Sequence, residues 1–242
     1  MDYAIIAAGE GARLAAEGLA IPKPLVTLHG ECLVDRLIRI FTANQAHHIY
    51  IVVNSQVPSV MQHLQALASS VNERYGCSVD IVAAHTPSSM HSLHFLTEHT
   101  ECGQRPFCLT TVDTVFREDS FACYIDSAAQ RITAGTSHAV MGVTTWIDDE
   151  RPLYVEMDAQ QRVIAFSDSS RQCTTISAGV YTLSPETIPV LQKCIAKGEQ
   201  RMRNFQRALL QQGLMVHGAD MGKAIDVDHR HDLILAEAFV SE

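Results

Sequence analysis

The sequence predicts an α/β fold of three layers, α-β-α, in which a mostly parallel central sheet carries a small antiparallel β patch. Three observations predict it. Apolar runs of strand length, suited to strands covered on both faces, recur through the first half. Segments with helical apolar spacing separate them, so strand and helix alternate four times, as right-handed crossovers in a parallel sheet require. The second half turns β-rich and contains a hairpin signal.

The first element is the apolar run Tyr3 to Ala8, which stops at Gly9 and is followed by a loop through Pro22, Lys23 and Pro24. Leu33, Leu37, Ile40 and Phe41 then recur at helical spacing between Leu33 and Asn44. Ile49 to Val53 is a second buried strand. Val57 to Tyr75 is a helix with Pro58 in its first turn, and Val79 to Val82 a third strand. A helix at about Ser92 to Glu98 leads into a fourth strand, Phe107 to Val112. Beyond it, the stretches 138–146, 153–157, 162–166 and 175–183 read as strands, with Asp158 to Gln161 as a hairpin turn. Ser184 and Pro185 have the chemistry of an N-cap and first helical position. A helix from Arg203 to Gln212, a short strand from Leu214 to His217 and a last helix from His229 to Val240 complete the chain. No repeat, low-complexity tract or linker divides it, so residues 1–242 read as one domain, with halves 1–135 and 136–242.

The 242 residues are enough to bury a substantial core. Lys plus Arg number 18 and Asp plus Glu 27, a net charge of −9, which argues against a nucleic-acid or anionic-membrane binder but leaves room for a local basic pocket. No run approaches the ~18 apolar residues of a membrane span. The start, Met1-Asp2-Tyr3, lacks the features of a signal peptide, so a cytoplasmic protein is expected. The seven cysteines (Cys32, Cys77, Cys102, Cys108, Cys123, Cys173 and Cys194) are scattered without a CxxC pair, as expected of small apolar residues in a reducing compartment.

Ligands in doubly wound sheets bind at the carboxyl ends of the strands, here Gly9, Asn54, His85 and Asp113 onward. The densest motif is there. Ala8-Gly9-Glu10-Gly11 lets the backbone approach a ligand closely and aim N–H groups at it, and Arg13 and Lys23 follow on the same loop. A compact cationic pocket in an acidic protein suits a polyphosphate. A dinucleotide fingerprint would need Gly where Leu14 stands, and the P-loop pattern is absent. Asp113 ends the fourth strand on the same sheet edge as the glycine loop, which favours a functional carboxylate, although a turn residue has the same placement. Asp226 and Asp228 precede the last helix, where Asp228 also suits an N-cap and Asp226 an ordinary strand end. His229 and His231 read as solvated first-turn residues. Thr86 to Leu93 brings small hydroxyl residues, Ser92 among them, to a helix start, as a plain capping segment also would.

The set Gly9, Gly11, Arg13, Pro22, Lys23 and Gly30, with Asp113 and the Asp228-to-Glu237 segment, resembles the signature of the sugar-1-phosphate nucleotidyltransferases. The resemblance implies a Rossmann-like nucleotide-diphospho-sugar transferase fold and Mg²⁺-dependent transfer of a nucleotidyl group from an NTP to a sugar 1-phosphate, releasing pyrophosphate. It assigns the leaving phosphates to Arg13 and the α-phosphate and acceptor phosphate to Lys23. The nucleotide goes to Ala8, Gly9, Glu10, Gly11 and Ser92, and the metal to Asp113 and Asp228 with Asp226 in support. Ser177-Ala178-Gly179-Val180-Tyr181 resembles the sugar-side strand, which implies an acceptor role for Gly179, and Glu156 offers a hydroxyl-binding carboxylate or is an exposed strand residue. The pattern departs from the family at Val112 and Ser177, and Ser167-Asp168-Ser169 stands where a Glu-Lys pair is expected. A cytidylyltransferase acting on phosphocholine or another non-sugar phosphate therefore stays open, as does a non-catalytic domain that binds sugar nucleotides. The expected partners are small molecules, with a homo-oligomer left open.

Overall fold

The computed structural model describes residues 1–147, 151–169 and 173–241. Its first half runs β1 (Asp2–Ala7), α1 (Ala12–Ala16), β2 (Thr27–Leu28), β3 (Glu31–Cys32), α2 (Leu33–Ala43), β4 (His48–Asn54), α3 (Pro58–Tyr75), β5 (Ser78–Ala84), α4 (Ser89–His99), β6 (Phe107–Thr111), β7 (Thr114–Phe116) and α5 (Glu118–Thr133). The second runs β8 (Ala139–Thr144), β9 (Tyr154–Met157), β10 (Val163–Ser167), β11 (Ile176–Leu183), α6 (Ile188–Ala196), α7 (Met202–Gln211), β12 (Val216–Asp220), β13 (Ala224–Asp226) and α8 (Arg230–Ser241).

The sheet order β5-β4-β1-β6 is parallel, β11 joins β6 antiparallel, and β8 and β12 follow on the far edge of β11. The β9–β10 hairpin attaches at the start of β11 through Ile176 and Tyr154. Small antiparallel pairs, β13 with β7 and β2 with β3, lie off this sheet. The expected mostly parallel three-layer fold is what forms.

The alternation within β1 shows how one strand builds two cores. Tyr3, Ile5 and Ala7 face one cluster, which α2, α3, α5 and α8 close with residues such as Phe41, Leu64, Phe121 and Phe239. Ala4, Ile6 and Ala8 face the other, closed by α4, α6 and α7 through residues such as Leu93, Leu191 and Phe205. In the first cluster Tyr3 stacks on Phe41 with centroids 4.4 Å apart, and Phe121 packs 4.9 Å from Phe116 and 5.6 Å from Phe41.

Several local expectations shift. The glycine loop is interrupted by the short helix α1, whose Gly11 cap adopts φ 62°, a left-handed conformation that favours glycine. Ser184 does not cap with its side chain; a 3-10 turn, Pro185–Thr187, precedes α6, and Thr187 Oγ1 donates to the Ser184 carbonyl. The strand expected at Leu214 to His217 lies later, as β12, because it takes its register from β8. Helix α5 was not anticipated, since small and polar residues dilute its apolar face of Phe121, Tyr124, Ile125, Ala128 and Ile132. No helix among the described residues is long and apolar enough to cross a membrane.

Because Phe121 is fully buried at the centre of this aromatic group, Phe121→Ala should lower the free energy of unfolding by about 3–5 kcal/mol, measured by urea denaturation. A loss under about 1 kcal/mol would show that the group does not pack as described.

Candidate active site

Backbone hydrogen bonds bring three distant segments together. Val112 N donates to the Ile6 carbonyl at 3.0 Å, which sets the end of β6 beside the end of β1. Val227 N donates to the Asp113 carbonyl at 3.0 Å, and β13 pairs with β7 with Asp226 opposite Thr114, which brings in the C-terminal acidic segment. The loop carrying Lys23 closes against Gly11, where an added Cβ would stand 3.4 Å from Lys23 Cβ. A Cβ on Gly9 would meet nothing within 4 Å, so Gly9 faces open cleft.

At the convergence Lys23 Nζ donates to Asp113 Oδ2 at 2.5 Å and to Asp228 Oδ1 at 2.7 Å. Arg13 Nη1 donates to the other Asp228 oxygen, Oδ2, at 2.6 Å. Lys23 is only 9% exposed. Its burial alone would lower the ammonium pKa, but the Asp113 and Asp228 carboxylates outweigh this and hold it above its ordinary value. Asp226 faces the cleft and accepts from Thr114 Oγ1 at 2.9 Å. Desolvation at the cleft wall, and then the Asp113 carboxylate, push the Asp226 carboxyl above its ordinary value, with Thr114 and Lys23 opposing.

Asp228 is not the N-cap of α8. Asp232 performs that service from within the helix, its Oδ2 accepting from Asp228 N at 2.9 Å and His229 N at 2.6 Å, which leaves the Asp228 carboxylate for Lys23 and Arg13. Nor is His229 merely solvated. Its Nδ1 pairs with Glu17 Oε1 at 2.6 Å, and Glu17 Oε2 accepts from Arg230 N at 2.8 Å. The Arg230 amide and the His229 ring hold the Glu17 carboxyl below its ordinary value, and Glu17 in turn raises the His229 imidazole. Glu17 follows Arg13 at i+4, a spacing that puts both on one side of the chain; that was the sequence signal for it.

Two cavities meet here. One, of about 540 Å³, is lined by Ala8, Gly9, Glu10 and Gly11 with Lys23, Ser92 and Asp113. The other, of about 360 Å³, is lined by Trp146, Ser177, Arg203, Asp226 and His229 among others. Arg13 and Asp228 line both. Ser92 contributes wall rather than a free hydroxyl, since its Oγ is bonded to Thr86 Oγ1 at 2.6 Å and donates to the Ser88 carbonyl. Gly179 has φ 74°, and a Cβ there would stand 2.9 Å from Thr114 Oγ1, so the glycine makes room for the hydroxyl that supports Asp226. Glu156 lies outside the cleft, in a separate depression with Ile164, Cys173 and Thr175, because its position on β9 points it to another face. Arg203 was not foreseen; it is anchored by Asp168 Oδ1 at 2.5 Å and by the Arg151 carbonyl at 2.9 Å, contacts that no local pattern announces.

A family model described as a MobA-like NTP transferase domain matches residues 3–212. No curated protein sequence matches the chain. Among solved structures, the inositol-1-phosphate CTP transferase from T. maritima is similar with a TM-score of 0.76 at 17% identity, covering 100% of this chain and 96% of that one. A protein assigned as a glucose-1-phosphate thymidylyltransferase from Bacillus anthracis has a TM-score of 0.80 at 16% identity, with 100% and 96% covered. The nucleoside-diphosphate-sugar pyrophosphorylase from Vibrio cholerae RC9 has a TM-score of 0.74 at 16% identity, with 97% and 99% covered. At these identities the three structures share the fold.

Removing the ammonium leaves Asp113 and Asp228 without their common partner. Lys23→Met should destabilise the protein by about 1–3 kcal/mol at neutral pH. Thermal melting checks this; an unchanged melting temperature would show that the two carboxylates do not depend on Lys23.

Proposed function

The chain belongs to the MobA-like NTP transferase domain family, and from that premise we propose that it transfers a nucleotidyl group from a nucleoside triphosphate to a sugar 1-phosphate, with release of pyrophosphate. The observation that carries the reading is the cationic glycine loop joined, through Lys23 and Arg13, to two carboxylates from opposite ends of the chain. The pair of cavities supports it further: a two-substrate transfer needs two compartments that meet at the reacting atoms, and Arg13 and Asp228 stand at the junction.

An acceptor phosphate oxygen attacks the α-phosphorus in line, the bond between the α-phosphorus and its bridging oxygen to the β-phosphorus breaks, and pyrophosphate departs. Positioning and charge stabilisation do most of the work in such a transfer. Lys23 has three N–H donors, two engaged by Asp113 and Asp228, which leaves one for a phosphate oxygen between the compartments. Arg13 uses one guanidinium N–H on Asp228, and its half-exposed side chain has the rest to offer to the leaving phosphates. Backbone N–H groups from Ala8 to Gly11 line the nucleotide. Asp113 and Asp228 fit Mg²⁺, since they are hard oxygen donors already gathered about one cation, the Lys23 ammonium. That ion, when bound, neutralises charge on the triphosphate. Asp226 supports the pair from beside them.

The departure at Ser167-Asp168-Ser169 favours a second reading of the acceptor alone. Asp168 anchors Arg203 on the wall of the smaller cavity, where the family pattern has a Glu-Lys pair, so a non-sugar phosphate is the alternative acceptor. A cytoplasmic setting is consistent with cysteines that form no disulfide among the described residues.

Purified protein with Mg²⁺, a panel of NTPs and a panel of sugar and alcohol phosphates should release pyrophosphate with one preferred pair. Asp113→Asn and Lys23→Ala should each lower kcat by roughly 10²-fold or more, with folding verified by circular dichroism. Unchanged rates in both variants would remove these residues from the chemistry.

A further inference from the structure

One group of side chains with strong ligand chemistry lies outside both cavities. Cys32 caps α2, Asp35 sits in its first turn, and His63 comes from α3, which packs alongside. The Cys32 sulfur, an Asp35 oxygen and a His63 ring nitrogen all lie within 4.8 Å of one another. Among the described residues this is the one cluster of three such donors. We propose that Cys32, Asp35 and His63 form a binding site for a transition-metal ion of the Zn²⁺ class, separate from the carboxylates of the cleft.

The argument is chemical and geometric. Thiolate, imidazole and carboxylate are the three donor types that Zn²⁺ takes from proteins, and three protein ligands leave the fourth tetrahedral position to water. Cys32 stands at the N-cap of α2 and Asp35 at its third residue, positions whose side chains meet, and α3 brings His63 across from them. The donors are preassembled but not locked away. His63 Nε2 lies 2.7 Å from Asp35 Oδ1, with side-chain exposures of 34% and 27%, so an ion can enter from solvent. The Cys32 thiol donates weakly to the Leu25 carbonyl at 3.6 Å.

Binding balances as follows. The ion displaces the thiol proton to solvent and forms an S–metal bond. His63 gives a nitrogen lone pair and keeps its proton on the other ring nitrogen, and Asp35 exchanges its contact with His63 for the metal. One thiolate and one carboxylate then neutralise the divalent charge, which suits a partly buried site. No redox partner is needed. The ion would bridge α2 and α3 next to Leu25, the last residue of the turn that carries Lys23.

Co²⁺ serves as the probe because a cysteine thiolate gives it a charge-transfer band that carboxylates cannot. Full-length protein, stripped with a chelator and titrated with Co²⁺, should develop that band with one equivalent and release one proton per ion. Zn²⁺ should abolish the band by displacement. Cys32→Ser should remove it entirely. His63→Gln should weaken Co²⁺ binding by more than the ~100-fold that loss of a merely supporting residue can cost. Asp113→Asn should leave the band intact, which separates this site from any ion in the cleft. The proposal is overturned by the absence of a thiolate band, or by a band that survives Cys32→Ser in a protein whose near-UV circular dichroism shows it folded.

Discussion

The site is organised by one ammonium group. Lys23 Nζ is nearly excluded from solvent and bonded to two carboxylates that lie 90 and 205 residues away in sequence. Stripping water from such a charge is costly unless the partners compensate closely, so the ends of β1, β6 and β13 are held in one arrangement. The dependence runs both ways. Asp113, Asp226 and Asp228 crowd the same cleft, and without a central cation their mutual repulsion would drive the segments apart. Desolvation first, and the Asp113 and Asp228 carboxylates after it, raise the Asp226 carboxyl against the opposing Thr114 hydroxyl and Lys23.

The N-terminal half of this arrangement is legible in the sequence because its determinants are local. A strand buried on both faces must be apolar throughout, so β1, β4 and β6 stand out as runs. The turn that follows β1 needs glycine where the chain goes left-handed at Gly11 and where Gly9 opens onto the cleft, so the motif is compact. Asp113 could be located because a strand end is a position that topology fixes. The C-terminal half is less legible for the opposite reason. Its walls come from residues such as Trp146, Ser177 and Arg203, which are separate in sequence and are assembled only by the antiparallel addition of β11, β8 and the β9–β10 hairpin. Glu156 shows the consequence. The alternation of a strand tells that neighbouring side chains face opposite ways, but not which face borders the cleft.

Asp228 poses a harder problem of placement, since it lies beyond the stretch matched by the family model and two residues past β13, a three-residue strand that could not hold a register alone. Its position comes from a ring of contacts around it. Asp232 fixes the backbone at residues 228 and 229, Glu17 fixes residues 229 and 230, and Arg13 and Lys23 take the carboxylate itself. Because Glu17 and Arg13 both belong to the segment around α1, these contacts tie that segment to the start of α8.

Two sets of donors in this chain differ in character. In the cleft the donors are carboxylate oxygens beside fixed positive charge, an environment that suits a small hard ion willing to share its shell with phosphate and water. At Cys32, Asp35 and His63 sulfur and nitrogen join the oxygen, and no lysine or arginine stands among the bonded partners. Softer donors bind Zn²⁺-class ions far more strongly than they bind Mg²⁺, so donor type alone sorts the two ions to two places. The separation matters for chemistry. A tightly held soft ion between Asp113 and Asp228 would compete with Lys23 for both carboxylates, whereas the same ion between α2 and α3 leaves that network intact and binds to the scaffold that presents it.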